Sequence, residues 1–219
     1  TNLKNNMYIS IKKIISDYNL DIKGIIHIGG CKGEELFSYH RNKIKNIILV
    51  EANPDLIRGL NIKKFIYNNF LRMNIDIESF AAFNVDNKIM ELNITNNLQS
   101  SSILSLSKHA DLYPSIVVEK KVKVKTKTIN NLFSEKYDIK NFSFLNLDIQ
   151  GAELKALEGC DKILHSINAI YTEVNFEELY EGCPHVNEID IFLKNFNFRR
   201  VLTKTPDHPS WGDALYLKS

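Results

Sequence analysis

The stretch Gly24-Ile25-Ile26-His27-Ile28-Gly29-Gly30-Cys31-Lys32-Gly33-Glu34-Glu35 predicts a buried strand, a glycine loop and the start of a helix. Glycine at the end of such a strand lets the backbone turn sharply and lets a ligand approach closely. Glu51 follows Gly33 by eighteen residues and ends a second apolar run. This order of strand, glycines, helix, strand and acid is typical of a nucleotide pocket, although a purely structural turn can need the same glycines.

Size and composition indicate one domain over residues 1–219, because 219 residues with 44% apolar content can bury a sizeable core. A net charge of +2 favours neither a nucleic-acid nor a membrane partner. Three cysteines without even pairing or metal spacing favour a reducing compartment. We therefore expect a cytoplasmic protein without a metal or membrane partner, and the sequence does not indicate its oligomeric state.

Apolar runs alternate with helical patterns along most of the chain. An amphipathic helix is expected within residues 1–22, with its apolar face over 7–18 covering the sheet. A helix after Pro54 is expected to break near Gly59. Residues 84–128 interrupt the alternation with two strand patterns and are expected near the substrate site. The predicted strands of the main sheet are 24–28, 46–51, 77–83, 142–148, 169–174, 198–203 and 213–217.

The end of the chain distinguishes two kinds of doubly wound sheet. The last two strands have no helix between them and therefore predict an antiparallel hairpin. A nicotinamide-binding Rossmann domain continues its alternation, whereas a class I S-adenosylmethionine-dependent methyltransferase ends in such a hairpin. The predicted fold is thus an α/β Rossmann-like methyltransferase fold with a mostly parallel seven-stranded sheet, a terminal antiparallel hairpin and a β insertion after strand three.

Four blocks of sequence resemble the FkbM family of methyltransferases: His27-Ile28-Gly29-Gly30-Cys31-Lys32-Gly33-Glu34-Glu35, Val50-Glu51-Ala52-Asn53-Pro54, Asp148-Ile149-Gln150-Gly151-Ala152-Glu153-Leu154 and Trp211-Gly212-Asp213-Ala214-Leu215-Tyr216. The resemblance implies S-adenosylmethionine as the cofactor and a glycan or small natural product as the acceptor, methylated on a hydroxyl group. The family usually has Asp at the position of His27, where the acid helps to bind the ammonium of the cofactor.

Candidate cofactor contacts follow from the predicted strand ends and from this resemblance. His27, Gly29 and Gly30 are assigned to the methionine half of the cofactor, and Glu51 to the ribose hydroxyls. Three further assignments have alternatives: Asn53 extends the ribose contact or caps a helix, and Ala81 and Ala82 flank the adenine or fill the core.

Candidate catalytic residues are carboxylates at the ends of strands four and five. Asp148 accepts the substrate proton or holds the cofactor ammonium, and Glu173 is expected to face the same cleft. Glu153 is a third acid that could converge there or simply favour the start of a helix. Whether these acids lie close enough for a metal is not visible in the sequence, and we predict none.

Two alternatives to a saccharide O-methyltransferase remain open. The first is a non-catalytic glycan-binding or interaction module on the same fold, which His27 motivates. The second is an RNA methyltransferase, which the near-neutral charge does not favour.

Overall fold

The computed structural model describes residues 7–219, so residues 1–6 of the predicted N-terminal segment 1–22 lie outside the described residues. Within 7–219 the strands are β1 (Gly24–Ile28), β2 (Asn46–Glu51), β3 (Asn74–Ser79), β4 (Ala81–Ala82), β5 (Ile89–Thr95), β6 (Val118–Lys127), β7 (Phe144–Leu147), β8 (Ala169–Asn175), β9 (Phe198–Lys204) and β10 (Trp211–Lys218). The helices in the same range are α1 (Ile11–Tyr18), α2 (Leu36–Arg41), α3 (Pro54–Phe70), α4 (Lys108–Leu112), α5 (Ile129–Lys136), α6 (Glu153–Glu158), α7 (Asp161–Leu164) and α8 (Val186–Lys194).

Seven strands form the main sheet in the order β3-β2-β1-β7-β8-β10-β9. In the part β3-β2-β1-β7-β8 of this order, each strand pairs in parallel with its neighbour. Strand β10 runs antiparallel to both β8 and β9. This topology confirms the predicted doubly wound α/β sheet and its terminal antiparallel hairpin.

The sheet is buried on both faces, which explains the continuous apolar runs of its central strands. Successive side chains point to opposite faces, so Ile26 and Ile48 enter one core cluster while Ile25 and Ile47 enter the other. Helix α1 buries Ile11 in the second of these clusters. Its first residue is therefore Ile11, later than the residue 7 that periodicity predicted.

The start of α1 is determined by a cap that the apolar periodicity does not show. Ser10 Oγ accepts a hydrogen bond from the backbone N–H of Lys13 at 3.3 Å, and Ser10 itself is extended. Residues 7–10 consequently precede the helix. Asn19, in the left-handed conformation, ends it.

Two predicted boundaries around α3 were wrong. The helix does not break at Gly59, which lies in open space. One glycine in a helix costs only a modest amount of helix propensity. The third strand begins at Asn74, not at residue 77, because β3 is an edge strand that tolerates polar side chains. One of these, Asp76, pairs with Lys64 of α3 at 2.7 Å.

Strands β5 and β6 of the insertion over residues 84–128 join β4 in a second sheet, in the order β4-β6-β5. Ala81 and Ala82 form β4 of this sheet and are not the end of β3, as the sequence had suggested. The insertion reaches the carboxyl edge of the main sheet, where Ser102 Oγ donates to the carbonyl oxygen of Gln150 at 2.7 Å. Within residues 7–219, no helix is both long enough and apolar enough to cross a membrane.

Candidate functional site

The glycine loop after β1 is packed so closely that side chains are excluded. Gly29 has a φ of +87°, and a Cβ there would lie 1.8 Å from the carbonyl oxygen of Asp148. A Cβ on Gly30 would lie 1.9 Å from Leu49 Cδ2. The N–H groups of both glycines donate to the carbonyl oxygen of Val50, at 2.9 and 3.1 Å. The loop is therefore held at the junction of β1, β2 and β7.

Glu51, the last residue of β2, connects this loop to the start of α3. Its Oε2 accepts from the N–H of Cys31 at 2.7 Å, and its Oε1 accepts from the N–H of Asn53 at 2.7 Å. Burial raises the pKa of Glu51 to about 7, against the two backbone donors, which favour the charged form. Each carboxylate oxygen keeps a further lone pair that a ligand hydroxyl could use.

Asn53 caps α3 and also presents a donor without a partner. Its Oδ1 accepts from the N–H of Asp55 at 3.1 Å. Its Nδ2 is buried and has no hydrogen-bond partner in the part of the chain that the structure describes. A buried unpaired donor is costly, so this amide is suited to a ligand atom.

Gly29, Glu51 and Asn53 line a cleft with about 780 Å³ of empty space that is partly open to solvent, whereas Gly30 does not line it. The cleft lies at the carboxyl edge of the sheet, beside the point where the strand order reverses. The chain segments that line it are the glycine loop, the start of α3, Ala81 with Ala82, part of the insertion, and residues 148–150.

His27 lies in the sheet and lines neither this cleft nor the neighbouring one described below. Its Nδ1 is 3.3 Å from the hydroxyl of Tyr39, which in turn accepts a hydrogen bond from Asn146 Nδ2 at 2.9 Å. Burial lowers the pKa of His27 to about 4, which leaves the ring neutral at pH 7. A neutral imidazole gives an ammonium no opposing charge, so His27 does not reproduce the chemistry of an acid at this position.

Asp148 and Glu173 are brought together by Gln150. Its Nε2 donates to Asp148 Oδ1 at 2.8 Å and to Glu173 Oε2 at 2.5 Å. Its Oε1 accepts from the hydroxyl of Tyr180. Burial raises the pKa of Asp148 to about 6 and, together with the Asp148 charge, raises that of Glu173 well above its usual range. The sequence analysis did not single out Gln150. In the structure Gln150 and Gly151 form an unusual turn, with φ angles of +56° and +98°.

Glu153 lies close enough for its charge to raise the pKa of Glu173, but its oxygens face the loop backbone and it lines neither cleft. It is fully buried, and it accepts hydrogen bonds from the N–H groups of Ile149 at 2.9 Å and Gly151 at 3.0 Å. It thus stabilises the loop behind the site. The third acid is Asp213 of β10, which lies directly opposite Glu173 in the antiparallel register.

A second cleft, with about 1,380 Å³ of open space, contains all three converging acids. Four aromatic side chains form much of its wall: Tyr8, Tyr113, Tyr180 and Trp211. Trp211 Nε1 donates to the Tyr113 hydroxyl at 3.0 Å, which fixes the indole. Among the described residues that line this cleft there is no Lys or Arg. The two clefts share a border formed by Gln99, Asp148 and Gln150.

In residues 7–219 we find no group of three or more His, Cys, Asp or Glu side chains arranged to hold a metal ion. Burial raises the pKa of Asp213 to about 7. Its carboxylate accepts from the hydroxyl of Tyr171 and from the N–H of Tyr8 at 3.1 Å.

Comparisons with known proteins agree with this architecture. A family model described as the methyltransferase FkbM domain matches residues 27–200. The structure is similar to a methyltransferase FkbM from Methylobacillus flagellatus KT, with a TM-score of 0.58, 16% identity, and coverage of 89% of this chain and 43% of that one. It is also similar to magnesium protoporphyrin IX methyltransferase from Synechocystis PCC 6803, solved with bound SAM, with a TM-score of 0.53, 8% identity, and coverage of 94% and 74%. At these identities the likeness shows the fold alone. This chain spans less than half of the Methylobacillus protein. No curated protein matches the chain.

Proposed function

The chain belongs to the FkbM methyltransferase family, and we propose that it transfers a methyl group from S-adenosylmethionine to a hydroxyl group of a saccharide. The observation that carries this proposal is the pair of adjoining clefts at the carboxyl edge of the sheet. One has polar groups that suit a nucleoside cofactor, and the other has aromatic and carboxylate walls. Their common border includes Asp148, so a donor and an acceptor could meet beside a carboxylate.

Three features of the first cleft fit S-adenosylmethionine. Gly29 lines the cleft and has no side chain, so a ligand could approach its backbone closely. Glu51 has carboxylate lone pairs for ribose hydroxyls, and Asn53 Nδ2 is a buried donor that needs an acceptor. Ala81 and Ala82 are small and buried in the wall, which leaves room for a flat base.

When bound, S-adenosylmethionine supplies an electrophilic methyl group on a positively charged sulfur. The residues of the chain would align the acceptor oxygen with that methyl group and take up its proton. Asp148, with a pKa of about 6, is mostly ionised at neutral pH and is our candidate for the general base. Asp148, on the border between the two clefts, would take up the proton that the acceptor hydroxyl loses. The Gln150 amide orients the Asp148 carboxylate throughout.

The second cleft is suited to a neutral polyhydroxylated acceptor. Carboxylates accept hydrogen bonds from sugar hydroxyls, and fixed aromatic rings such as Trp211 can cover the apolar face of a sugar ring. A nucleic acid would need cations for its phosphates, and the described lining of this cleft contains neither Lys nor Arg. The cleft therefore favours a saccharide over RNA.

Calorimetry with S-adenosylmethionine and S-adenosylhomocysteine tests the cofactor assignment, and the absence of binding at millimolar concentration would refute it. Mass spectrometry of glycan mixtures with isotope-labelled cofactor then identifies the acceptor. Asp148→Asn should abolish turnover with little change in cofactor affinity if Asp148 is the base, and should weaken cofactor binding if Asp148 holds the ammonium. Asp138→Asn, an exposed acid just before β7 on the opposite edge of the sheet, is the matched control.

One observation favours a second candidate, a non-catalytic glycan-binding module. His27 is neutral and lines neither cleft, so the cofactor ammonium lacks the acid that the family usually places there. In that case the chain would bind glycans in the second cleft without methylating any of them. Glycan binding that is independent of S-adenosylmethionine, with no labelled product, would favour the module over the enzyme.

A further inference from the structure

Helix α3 exposes an apolar stripe to solvent. Ile62, Phe65, Ile66 and Phe70 recur at helical spacing, and their exposed fractions are 55%, 61%, 44% and 72%. Aromatic side chains of this size usually lie inside a protein. The Phe65 and Phe70 rings pack edge to face, with centroids 6.3 Å apart, so they form one continuous apolar surface.

Helix α2, beside α3, carries a third exposed aromatic ring. His40 of α2 lies 6.5 Å from Tyr67 of α3, measured between ring centroids, so the two helices are neighbours. One turn before His40, Phe37 is 47% exposed. The guanidinium of Arg41 lies 5.8 Å from the centre of the Phe37 ring. We call these exposed side chains of α2 and α3 the α2–α3 face.

The segment that carries the α2–α3 face is also rich in cations. Residues 36–75 contain seven Lys and Arg but only two acids, and one of these, Glu51, is buried in the first cleft. The other, Asp55, pairs with Lys120. Among the described residues, Lys64 is the one cation of the seven that has an acidic partner. The net charge of +2 for the whole chain, from which we expected no membrane partner, conceals this local excess.

We propose that the α2–α3 face binds the surface of an anionic lipid bilayer, with α3 lying in the interface plane. Phe and Ile side chains that enter the acyl boundary, beside Lys and Arg that reach the headgroups, are the pattern of interfacial helices. A second copy of this chain would bring like charges together. A nucleic acid would use the cations but would leave the apolar stripe exposed.

Sedimentation with phosphatidylcholine vesicles, with and without phosphatidylglycerol, tests the proposal on the whole chain. We expect binding to the phosphatidylglycerol vesicles that weakens as salt is raised. The double substitution Phe65→Gln, Phe70→Gln introduces glutamine, a good helix former, so α3 should stay helical. It should lower the partition coefficient for vesicles about tenfold or more. Arg58→Gln with Arg72→Gln should lower it roughly tenfold on anionic vesicles alone. The matched control is Ile191→Gln on α8, because Ile191 is 67% exposed but lies outside the face.

Circular dichroism spectra and melting temperatures would show that the variants are folded. Loss of vesicle binding in the Phe65→Gln, Phe70→Gln variant and in the Arg58→Gln, Arg72→Gln variant, with binding retained in Ile191→Gln, supports the proposal. Equal binding by all variants overturns it, as does the absence of binding to anionic vesicles. Analytical ultracentrifugation covers a further outcome. If the parent is a dimer, the Phe65→Gln, Phe70→Gln variant is a monomer and neither of the two binds vesicles, the face is a self-association surface and the membrane proposal is wrong.

Discussion

Replacing Gly29 by alanine should destabilise the protein more than the same change at any glycine in open space. Two separate costs apply at this position. A left-handed φ of +87° costs an L-residue about 1–2 kcal/mol. The new Cβ would also lie 1.8 Å from a backbone carbonyl oxygen, and forced overpacking costs typically about 1–3 kcal/mol. After allowance for the reduced entropy of the unfolded chain, we expect a net loss of about 2–4 kcal/mol.

Two other glycines separate these costs. Gly182 has a φ of +69° but no atom within 4 Å of an added Cβ, so Gly182→Ala should cost about 1 kcal/mol from backbone strain alone. Gly59 is helical and also lies in open space, so Gly59→Ala should stabilise the protein by about 1 kcal/mol.

Urea denaturation followed by circular dichroism would measure all three changes in the free energy of unfolding. Cofactor titration of Gly29→Ala under folding conditions should show weakened binding, because the loop must shift away from Asp148 to accommodate the methyl group. Similar free energies for Gly29→Ala and Gly182→Ala would show that the loop is not tightly packed and would refute the argument.

Three further predictions concern the carboxylates. Glu51→Gln should weaken binding of S-adenosylmethionine about 10- to 100-fold in calorimetry, because hydrogen bonds to a charged group are stronger than those to a neutral one. The control Glu119→Gln, at an exposed acid, should leave the affinity unchanged. Equal affinities of Glu51→Gln and the parent would remove Glu51 from the cofactor site. Folding raises the pKa of Glu153 from 4.5 to about 7, so the folded state holds the extra proton and this contribution to stability is lost as pH rises through about 7. Between pH 4.5 and 7 the free energy of unfolding of Glu153→Gln should therefore fall less than that of the parent, and the difference should be on the order of 3 kcal/mol. An equal fall in both proteins would contradict the assignment. His27, with its lowered pKa, contributes the opposite slope in both proteins, so only their difference is informative. Gln150→Leu should move the acid limb of the kcat profile to higher pH, because Asp148 and Glu173 lose their common donor; an unmoved limb would exclude this positioning role.

Much of the fold was predictable because its determinants are local. The buried runs of β1 and β2 were predicted with their observed bounds, since strands covered on both faces are continuously apolar. The edge strand β3 was misplaced for the opposite reason: Asn74 and Asp76 resemble a loop, but one side of an edge strand faces solvent. Apolar periodicity does not show that the Ser10 cap delays the start of α1. It also does not show that Gly59 lies in open space, where α3 can continue.

The candidate site was predictable in its chain positions but not in its partners. Glu51 and Asp148 follow strand ends, so their place at the carboxyl edge comes directly from the parallel topology. That Glu153 faces the loop backbone, while Asp213 joins Glu173, depends on side-chain direction and on the pairing of β8 with β10.

The residues alone predict the succession of strands and helices along the chain, the need for glycine after β1, the terminal hairpin and the family resemblance. These are consequences of local backbone preference and apolar periodicity. Three features depend on how the elements pack: Gln150 joins Asp148 to Glu173, His27 is a neutral ring against Tyr39, and the stripe on α3 stays uncovered. Hydrogen bonds and burial of this kind join residues distant in the chain, and they exist only after the elements pack.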